Sequence, residues 1–252
     1  MNLENLKNYG VIKEELLSLE ILENQGLNNT NYLLKTPTNE YIVRKFKSNN
    51  SVNISRKFEY DIQKKASNHN IASKPIFLNK DFMIYKYTKG IHKNRLSKTD
   101  IKNLVLKMKK FHSFKISTKF YDLSIDLQDY KKQLKDSKSQ KIVKESFKIL
   151  KKLKRYKVHR SLVHHDLNPK NIIFNNNDIK IIDWEYAGTN DIFFDLATIC
   201  IEYNLKKEDE EIFLNRYFGK KKSFYKIKLN YYKLLYKNIC HLWFEKSIKS
   251  LK

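Results

Sequence analysis

Residues Leu162 to Asp195 read LVHHDLNPKNIIFNNNDIKIIDWEYAGTNDIFFD, and the fold is decided by this stretch. It opens with His-x-Asp-x-x-x-x-Asn, supplied by His164, Asp166 and Asn171. Two short apolar runs follow, Ile172-Ile173-Phe174 and Ile179-Lys180-Ile181-Ile182, with Asn175 to Asp178 as turn chemistry between them. The second run ends in Asp183. A hairpin built this way carries Asn171 on its entry and Asp183 on its exit, so both return to one end. Asp166 lies just upstream. A carboxylate, a carboxamide and a second carboxylate directed to one point suit a divalent cation with a general base beside it. His164, at the start of such a loop, is expected to pack and hydrogen-bond in a structural role.

Working outward, the upstream third is rich in strand signals. Residues 27–34 and 40–47 read as strands, joined by the turn Thr36-Pro37-Thr38-Asn39. Ile54, Phe58, Ile62 and Ala66 are four apart and predict a helix. Pro75 to Leu78 and Phe82 to Tyr87 form a second strand pair around Asn79-Lys80-Asp81. Residues 3–23 show some helical spacing. After Gly90 the pattern changes. Helices are expected over Thr99 to Phe114, with Ser97 or Thr99 as N-cap, over 126–157, over Phe194 to Tyr203, and from there to the end. The expected class is therefore α+β, with a lobe of antiparallel sheet plus one helix over residues 1–88 and a mainly helical lobe over 89–252.

Composition narrows the function. With 252 residues the chain is long enough to bury a core in one large domain or two lobes. Its two cysteines, Cys200 and Cys240, give no disulfide framework, and a reducing cytoplasm is the expected setting. The segment MNLENLKNYG has no apolar core of a signal peptide, and no stretch approaches a membrane span. The formal net charge is +24. Lysines are spread over the whole chain, and no zinc-finger spacing, RNP-type aromatic motif or heptad run accompanies them, so no specific nucleic-acid partner is expected. Between Lys131 and Arg160, 13 Lys and Arg stand against Asp136 and Glu145 alone. This run reads as a solvated helix face.

Residues 163–195 resemble the kinase-like phosphotransferases that act on small molecules, the choline/ethanolamine kinase and aminoglycoside phosphotransferase superfamily. The run Asp183-Trp184-Glu185-Tyr186-Ala187-Gly188, with Asn190-Asp191 and Phe194-Asp195-Leu196-Ala197, is most similar to the bacterial choline kinase branch. The resemblance implies a two-lobed protein kinase-like fold that uses ATP and Mg²⁺. It makes Asp166 the catalytic base, Asn171 and Asp183 the Mg²⁺ ligands, and Asp195 the buried carboxylate bracing the catalytic loop. Gly26-Leu27-Asn28-Asn29-Thr30-Asn31-Tyr32 is similar to the family's segment over the nucleotide phosphates, which places Asn29 in the nucleotide site. Arg44 matches the basic residue that contacts phosphate, with Lys45 as an alternative on the opposite strand face. Glu59 resembles the glutamate that pairs with it. Tyr85-Lys86-Tyr87 would form the hinge whose backbone reads adenine.

The same resemblance points to a cationic alcohol as acceptor. A quaternary ammonium asks for aromatic faces and a carboxylate at modest distance. Tyr186, Glu202, Tyr203 and Trp243 match the family's choline-binding positions. Cys240 departs from the family's Trp-x-x-Trp, whose second member is Trp243. Choline is the expected acceptor, with ethanolamine, thiamine and aminoglycosides as alternatives inside the fold. Non-enzyme alternatives are a kinase-like binding protein and a basic nucleic-acid-binding protein.

Overall fold

The computed structural model describes residues 1–23, 28–47, 55–116, 118–219 and 223–250. In chain order the elements are α1 (Leu3–Asn8), β1 (Ser18–Ile21), β2 (Asn29–Lys35), β3 (Glu40–Phe46), α2 (Arg56–Asn68), β4 (Pro75–Leu78) and β5 (Phe82–Lys86). They continue with α3 (Lys98–His112), α4 (Leu123–Gln133), α5 (Ser137–Leu153), β6 (Arg160–Val163), β7 (Ile172–Asn175), β8 (Asp178–Ile181) and β9 (Gly188–Asp191). Helices α6 (Phe193–Glu202), α7 (Lys207–Phe218) and α8 (Ser223–Ser250) complete the chain. Two compact units result: Met1–His92 with Lys170–Tyr186, and Lys93–Pro169 with Ala187–Lys252.

The first unit is built on an antiparallel five-stranded sheet of order β1-β2-β3-β5-β4. Side chains on a strand alternate between faces, and β3 shows the consequence. Tyr41 and Val43 pack with Leu34, Phe82, Ile84, Leu6 and Leu16 on one face. Ile42 and Phe46 pack with Met83 and Tyr85 on the other. Arg44 shares the parity of Ile42 and Phe46 and is 3% exposed, whereas Lys45 points to solvent. Helix α2 begins at Arg56, capped by Ser55 through its hydroxyl to the Phe58 amide, and buries Glu59, Ile62, Gln63 and Ala66. Ile54, the first residue of the expected helical spacing, lies outside the described residues, as do Gly26 and Leu27. The helical spacing read in residues 3–23 gives a helix only at Leu3–Asn8; Ser18–Ile21 is instead an edge strand, paired antiparallel to β2 from Ser18 opposite Lys35 to Ile21 opposite Tyr32. A strand edge supplies a hydrogen-bonding partner that helical spacing alone does not reveal.

The β7–β8 hairpin belongs to this first unit. Ile172 pairs with Ile181 and Asn175 with Asp178, so the turn is Asn176-Asn177, with Asn176 at φ 52°. Asparagine tolerates the left-handed backbone that a tight hairpin requires. The hairpin is tied to the unit by the Ile181 amide on the Ile71 carbonyl (2.7 Å) and by paired bonds between Ile91 and Phe174 (2.9 Å each). Gly90 makes that approach possible. At φ 157°, a Cβ there would stand 2.5 Å from Ile173 Cγ2 and 2.6 Å from the Phe174 carbonyl oxygen.

The second unit is helical. Ser97 caps α3 and Asp100 reciprocates, closing a capping box. Residues 126–157 divide between two helices, most of α4 and all of α5; Leu127 and Tyr130 of α4, Leu134 at its C-cap and Val143 of α5 pack with Leu242 of α8. Helix α6 is buried from Phe193 to Cys200. Strands β6 and β9 pair antiparallel beside it, Val163 opposite Gly188 and Arg160 opposite Asp191. Lys228 of α8, 1% exposed, donates to the Asp191 carboxylate and to the Lys157 carbonyl (2.7 Å), with its ammonium 4.4 Å from the Phe193 ring centre. Among the described residues no helix is long and apolar enough to cross a membrane.

Candidate active site

In the first unit an ionic network joins β2, β3, α2 and the exit of the hairpin. Arg44 is its centre. Its Nη1 donates to Glu59 Oε1 (2.7 Å) and to Asp183 Oδ1 (2.9 Å), its Nη2 reaches Asp183 Oδ2 (2.8 Å), and its Nε donates to Asn31 Oδ1 (3.3 Å). Asn31 is the register partner of Arg44 on β2, so strand pairing alone sets that contact. Burial works against the charge on Arg44, but the carboxylates of Asp183 and Glu59, with Tyr85, outweigh it and hold its pKa well above the usual guanidinium value. Burial pushes the Glu59 carboxyl up, with the pull of Arg44 opposing it. The Tyr85 hydroxyl, on the same sheet face, is pushed up to about 12 by its burial, against the pull of Arg44.

A second arginine, Arg56, extends the network. It stacks 4.2 Å over the Phe46 ring centre. Nη1 donates to Glu59 Oε2 and Glu185 Oε2, both at 2.9 Å, and Nη2 donates to Asn29 Oδ1 (3.0 Å). Asn29 Nδ2 donates to Glu185 Oε2 (3.0 Å), and Asn28 Nδ2 donates to Glu185 Oε1 (2.9 Å) and to the Tyr186 hydroxyl (2.8 Å). Glu185 therefore receives three side chains and fixes the start of β2. Neither Arg56 nor Glu185 was singled out as a site residue from sequence. Their charges lie 129 positions apart, and only the fold reveals that they are partners.

Asn171 and Asp183 do return to one end of the hairpin. The Ile182 amide donates to the Asn171 carbonyl (3.0 Å), and Asp183 follows in a left-handed conformation at φ 65°. Aspartate adopts that region more readily than most residues, and the turn carries its carboxylate to Arg44. Trp184 anchors the bend, fully buried, with its indole N–H on the Ile181 carbonyl (3.0 Å). A carboxamide and a carboxylate are hard oxygen donors of the kind Mg²⁺ takes. Each Asp183 oxygen keeps a lone pair beyond its bond to Arg44, so the donor chemistry fits that ion. Tyr87 stands at the end of β5, 37% exposed, its amide donating to the Glu40 carbonyl (2.9 Å). The Lys86 amide is likewise taken up by the Lys74 carbonyl (2.9 Å).

In the second unit the loop after β6 carries Asp166. Asp195, in the first turn of α6 and with no exposed surface, accepts the amides of His164 (2.8 Å) and His165 (2.9 Å) and the His112 imidazole (3.1 Å). His112 in turn contacts the Tyr217 hydroxyl (2.6 Å). His165 is left-handed at φ 68°, with its ring against Phe194 and its Nε2 at Asn190 Nδ2 (2.9 Å). The Asp166 amide donates to His164 Nδ1 (3.3 Å), and its Oδ1 accepts from Asn168 Nδ2 (2.8 Å). Asp195 thus holds the two amides preceding Asp166. His164 is fully buried.

Burial raises the Asp195 pKa, but the His112 bond and the nearby imidazoles outweigh it, and the net shift is downward. A carboxylate depressed in the folded state stabilises the fold above its unfolded pKa of about 3.9, and that stabilisation is lost as pH falls through the folded value. Asp195→Asn is therefore expected to flatten the acid limb of stability below about pH 4. Urea-unfolding midpoints of both proteins between pH 7 and pH 3 check this; parallel curves would deny Asp195 the role.

The residues matched to an acceptor pocket divide between the units. Tyr186 belongs to the first and is 37% exposed. Glu202 and Tyr203 end α6 in the second, where Tyr203 is buried and Glu202 Oε1 accepts the Tyr236 hydroxyl (2.7 Å). Tyr236, Cys240 and Trp243 stand four and then three apart on α8, hence on one helix face. Cys240 and Trp243 are both exposed there.

An antiparallel sheet with a buried arginine–glutamate pair, a carboxylate-braced loop and a metal-suited hairpin define a kinase-like phosphotransferase fold. Residues 21–223, well over half of the chain, match the phosphotransferase enzyme family, and the chain belongs to it. LicA of Haemophilus influenzae is 35% identical over 85 residues, a match spanning 32% of this chain and 32% of that protein, about a third of its length. The crystal structure of choline kinase LicA from Streptococcus pneumoniae superposes with a TM-score of 0.84 at 24% identity, covering 99% of this chain and 92% of that one. A structure of LicA in complex with AMP gives 0.74 at 26% identity, over 95% and 86%.

Proposed function

We propose that this chain transfers the γ-phosphoryl group of ATP to the hydroxyl of choline, giving phosphocholine. The observation that carries the reaction type is the loop of Asp166, held by Asp195 through two successive amides. Phosphoryl transfer depends on positioning and charge neutralisation, and a braced loop supplies the first. Asp166 orients the acceptor hydroxyl and takes its proton. Asn171 and Asp183 hold Mg²⁺, which when bound neutralises charge on the phosphates. The first unit serves the nucleotide: the buried network of Arg44 and Asn29 is assigned to the phosphate site, Glu59 keeps Arg44 in place, and the segment from Tyr85 to Tyr87 is assigned to the base. The likeness to LicA bound to AMP supports nucleotide use.

For the acceptor, the second unit offers Glu202 and the exposed Trp243, and the first offers Tyr186; Tyr203, matched to the same pocket, is buried and would act from behind its lining. A carboxylate among aromatic rings suits an ammonium that cannot donate a conventional hydrogen bond. Choline is chosen among the cationic alcohols because the chain resembles LicA, whose Streptococcus pneumoniae form is named a choline kinase. The test is ATP consumption with choline, ethanolamine, thiamine and kanamycin as acceptors. Turnover with choline at least about tenfold above the others in kcat/KM is expected, roughly 1.4 kcal/mol of discrimination. Preference for another acceptor reassigns the substrate, and no turnover with any of them sinks the reading. Tyr186→Leu is expected to raise the KM for choline about fivefold, in line with the loss of one cation–π contact of about 1 kcal/mol, while changing the KM for ATP little.

A further inference from the structure

We infer that the lysine-rich outer face of α5, with the C-terminal end of α4 and the segment up to β6, docks on an anionic lipid surface. Between Lys131 and Arg160 the chain carries thirteen basic and two acidic residues, eleven of its 24 net positive charges. All thirteen basic side chains are exposed. Among the described residues, none of them forms an ion pair. Of the two acids, Asp136 caps α5 and already faces Lys249 (3.5 Å).

Their arrangement on α5 is one-sided. Ser139, Val143, Ser146 and Leu153 are buried, and Lys138, Lys141, Lys144, Lys148, Lys151 and Lys152 recur three or four apart on the opposite side. Like charges at that spacing repel along a helix, so the face is stabilised by an anionic partner. Beside it, Lys131, Lys132 and Lys135 line a depression of about 390 Å³ with Gln128 and Gln140, a place for a phosphate headgroup.

Two features select a bilayer over a nucleic acid. Eleven of the thirteen basic residues are lysines, compact hydrated charges suited to a diffuse surface potential, and only two are the forked arginines that grip phosphates and base edges. Within the run itself Phe147 and Tyr156 are half-buried, and the neighbouring exposed ring of Phe120 carries the Arg160 guanidinium 5.7 Å over its centre, so neither segment presents a row of open rings for bases to stack on. Val158, 49% exposed, is the one large apolar side chain exposed in the run, which suits contact at the headgroups without insertion.

The test is co-sedimentation of the full chain with phosphatidylglycerol–phosphatidylcholine vesicles and with phosphatidylcholine vesicles alone. Binding only to the anionic vesicles is expected at physiological salt, with loss at about 0.5 M salt, where the Debye length falls below the spacing of the charges. Lysine near an anionic surface strengthens partitioning about fivefold each. The variant carrying Lys141→Gln, Lys144→Gln, Lys148→Gln and Lys151→Gln should therefore bind at least about a hundred-fold more weakly, with an unchanged melting temperature. A control with Lys13→Gln, Lys64→Gln, Lys74→Gln and Lys80→Gln removes equal charge elsewhere and should keep most of the binding. Three results overturn the proposal: no vesicle binding at physiological salt, equal loss in both variants, or displacement from vesicles by duplex DNA at low excess. None of these depends on which acceptor the enzyme phosphorylates.

Discussion

Asp166→Ala is expected to lower turnover by roughly 10²–10⁴-fold, the range that a positioned general base contributes, while nucleotide affinity stays within about twofold. The separation follows from how the loop is held. Its shape depends on Asp195, which takes the His164 and His165 amides, and on His164 Nδ1, which takes the Asp166 amide. These contacts use backbone groups that alanine retains. The Asp166 side chain accepts a bond from Asn168 at a half-buried position, and the melting temperature is expected to change little. Equilibrium binding of a non-hydrolysable ATP analogue, with single-turnover rates, separates the two quantities. Retained turnover removes Asp166 from the reaction. Loss of nucleotide binding in step with turnover assigns it a role in affinity instead.

Arg44→Met is expected to destabilise the protein by about 3–5 kcal/mol, the cost of leaving buried carboxylates without their cation. The Glu59 side chain is 1% exposed and the Asp183 side chain 24%. Both lose a partner at once, and the Arg56–Glu59 bond (2.9 Å) compensates only one of them. Arg44→Lys keeps a charge but not the forked geometry that spans Asp183, and should recover part of the loss. Adding Glu59→Gln to Arg44→Met should recover more, because it removes one of the stranded charges. Urea unfolding of the three variants measures each difference. A loss below about 0.5 kcal/mol for Arg44→Met, the level of an ordinary surface change, would show that the network contributes little to the fold.

The hairpin and the Asp166 loop were legible in sequence because their signals are local. Alternating apolar runs around an Asn-rich turn fix the β7–β8 register, and that register alone sends Asn171 and Asp183 to one end. The parity of β3 likewise predicts that Arg44 and Lys45 point oppositely. The end of α3 illustrates the other case. His112 is one more histidine after a run of lysines, and nothing near it announces Asp195, 83 positions on. Arg56 similarly reads as a charge in the first turn of a helix. Its stacking on Phe46 and its bonds to Glu185 and Asn29 arise because three separate segments fold onto one sheet face.

The amino-acid sequence by itself determined the α+β class, the hairpin with its two oxygen donors, and the order in which base, carboxamide and carboxylate occur. These follow from side-chain periodicity and turn chemistry, whose range is a few residues. Only the tertiary structure decided that Asp183 lies under Arg44, that Glu185 joins Arg56 to the start of β2, and that His112 joins the amides ahead of Asp166 on the Asp195 carboxylate. Such bonds are selected by burial: once enclosed, a charge or an amide must find a partner, and which partner is in reach depends on how distant segments pack.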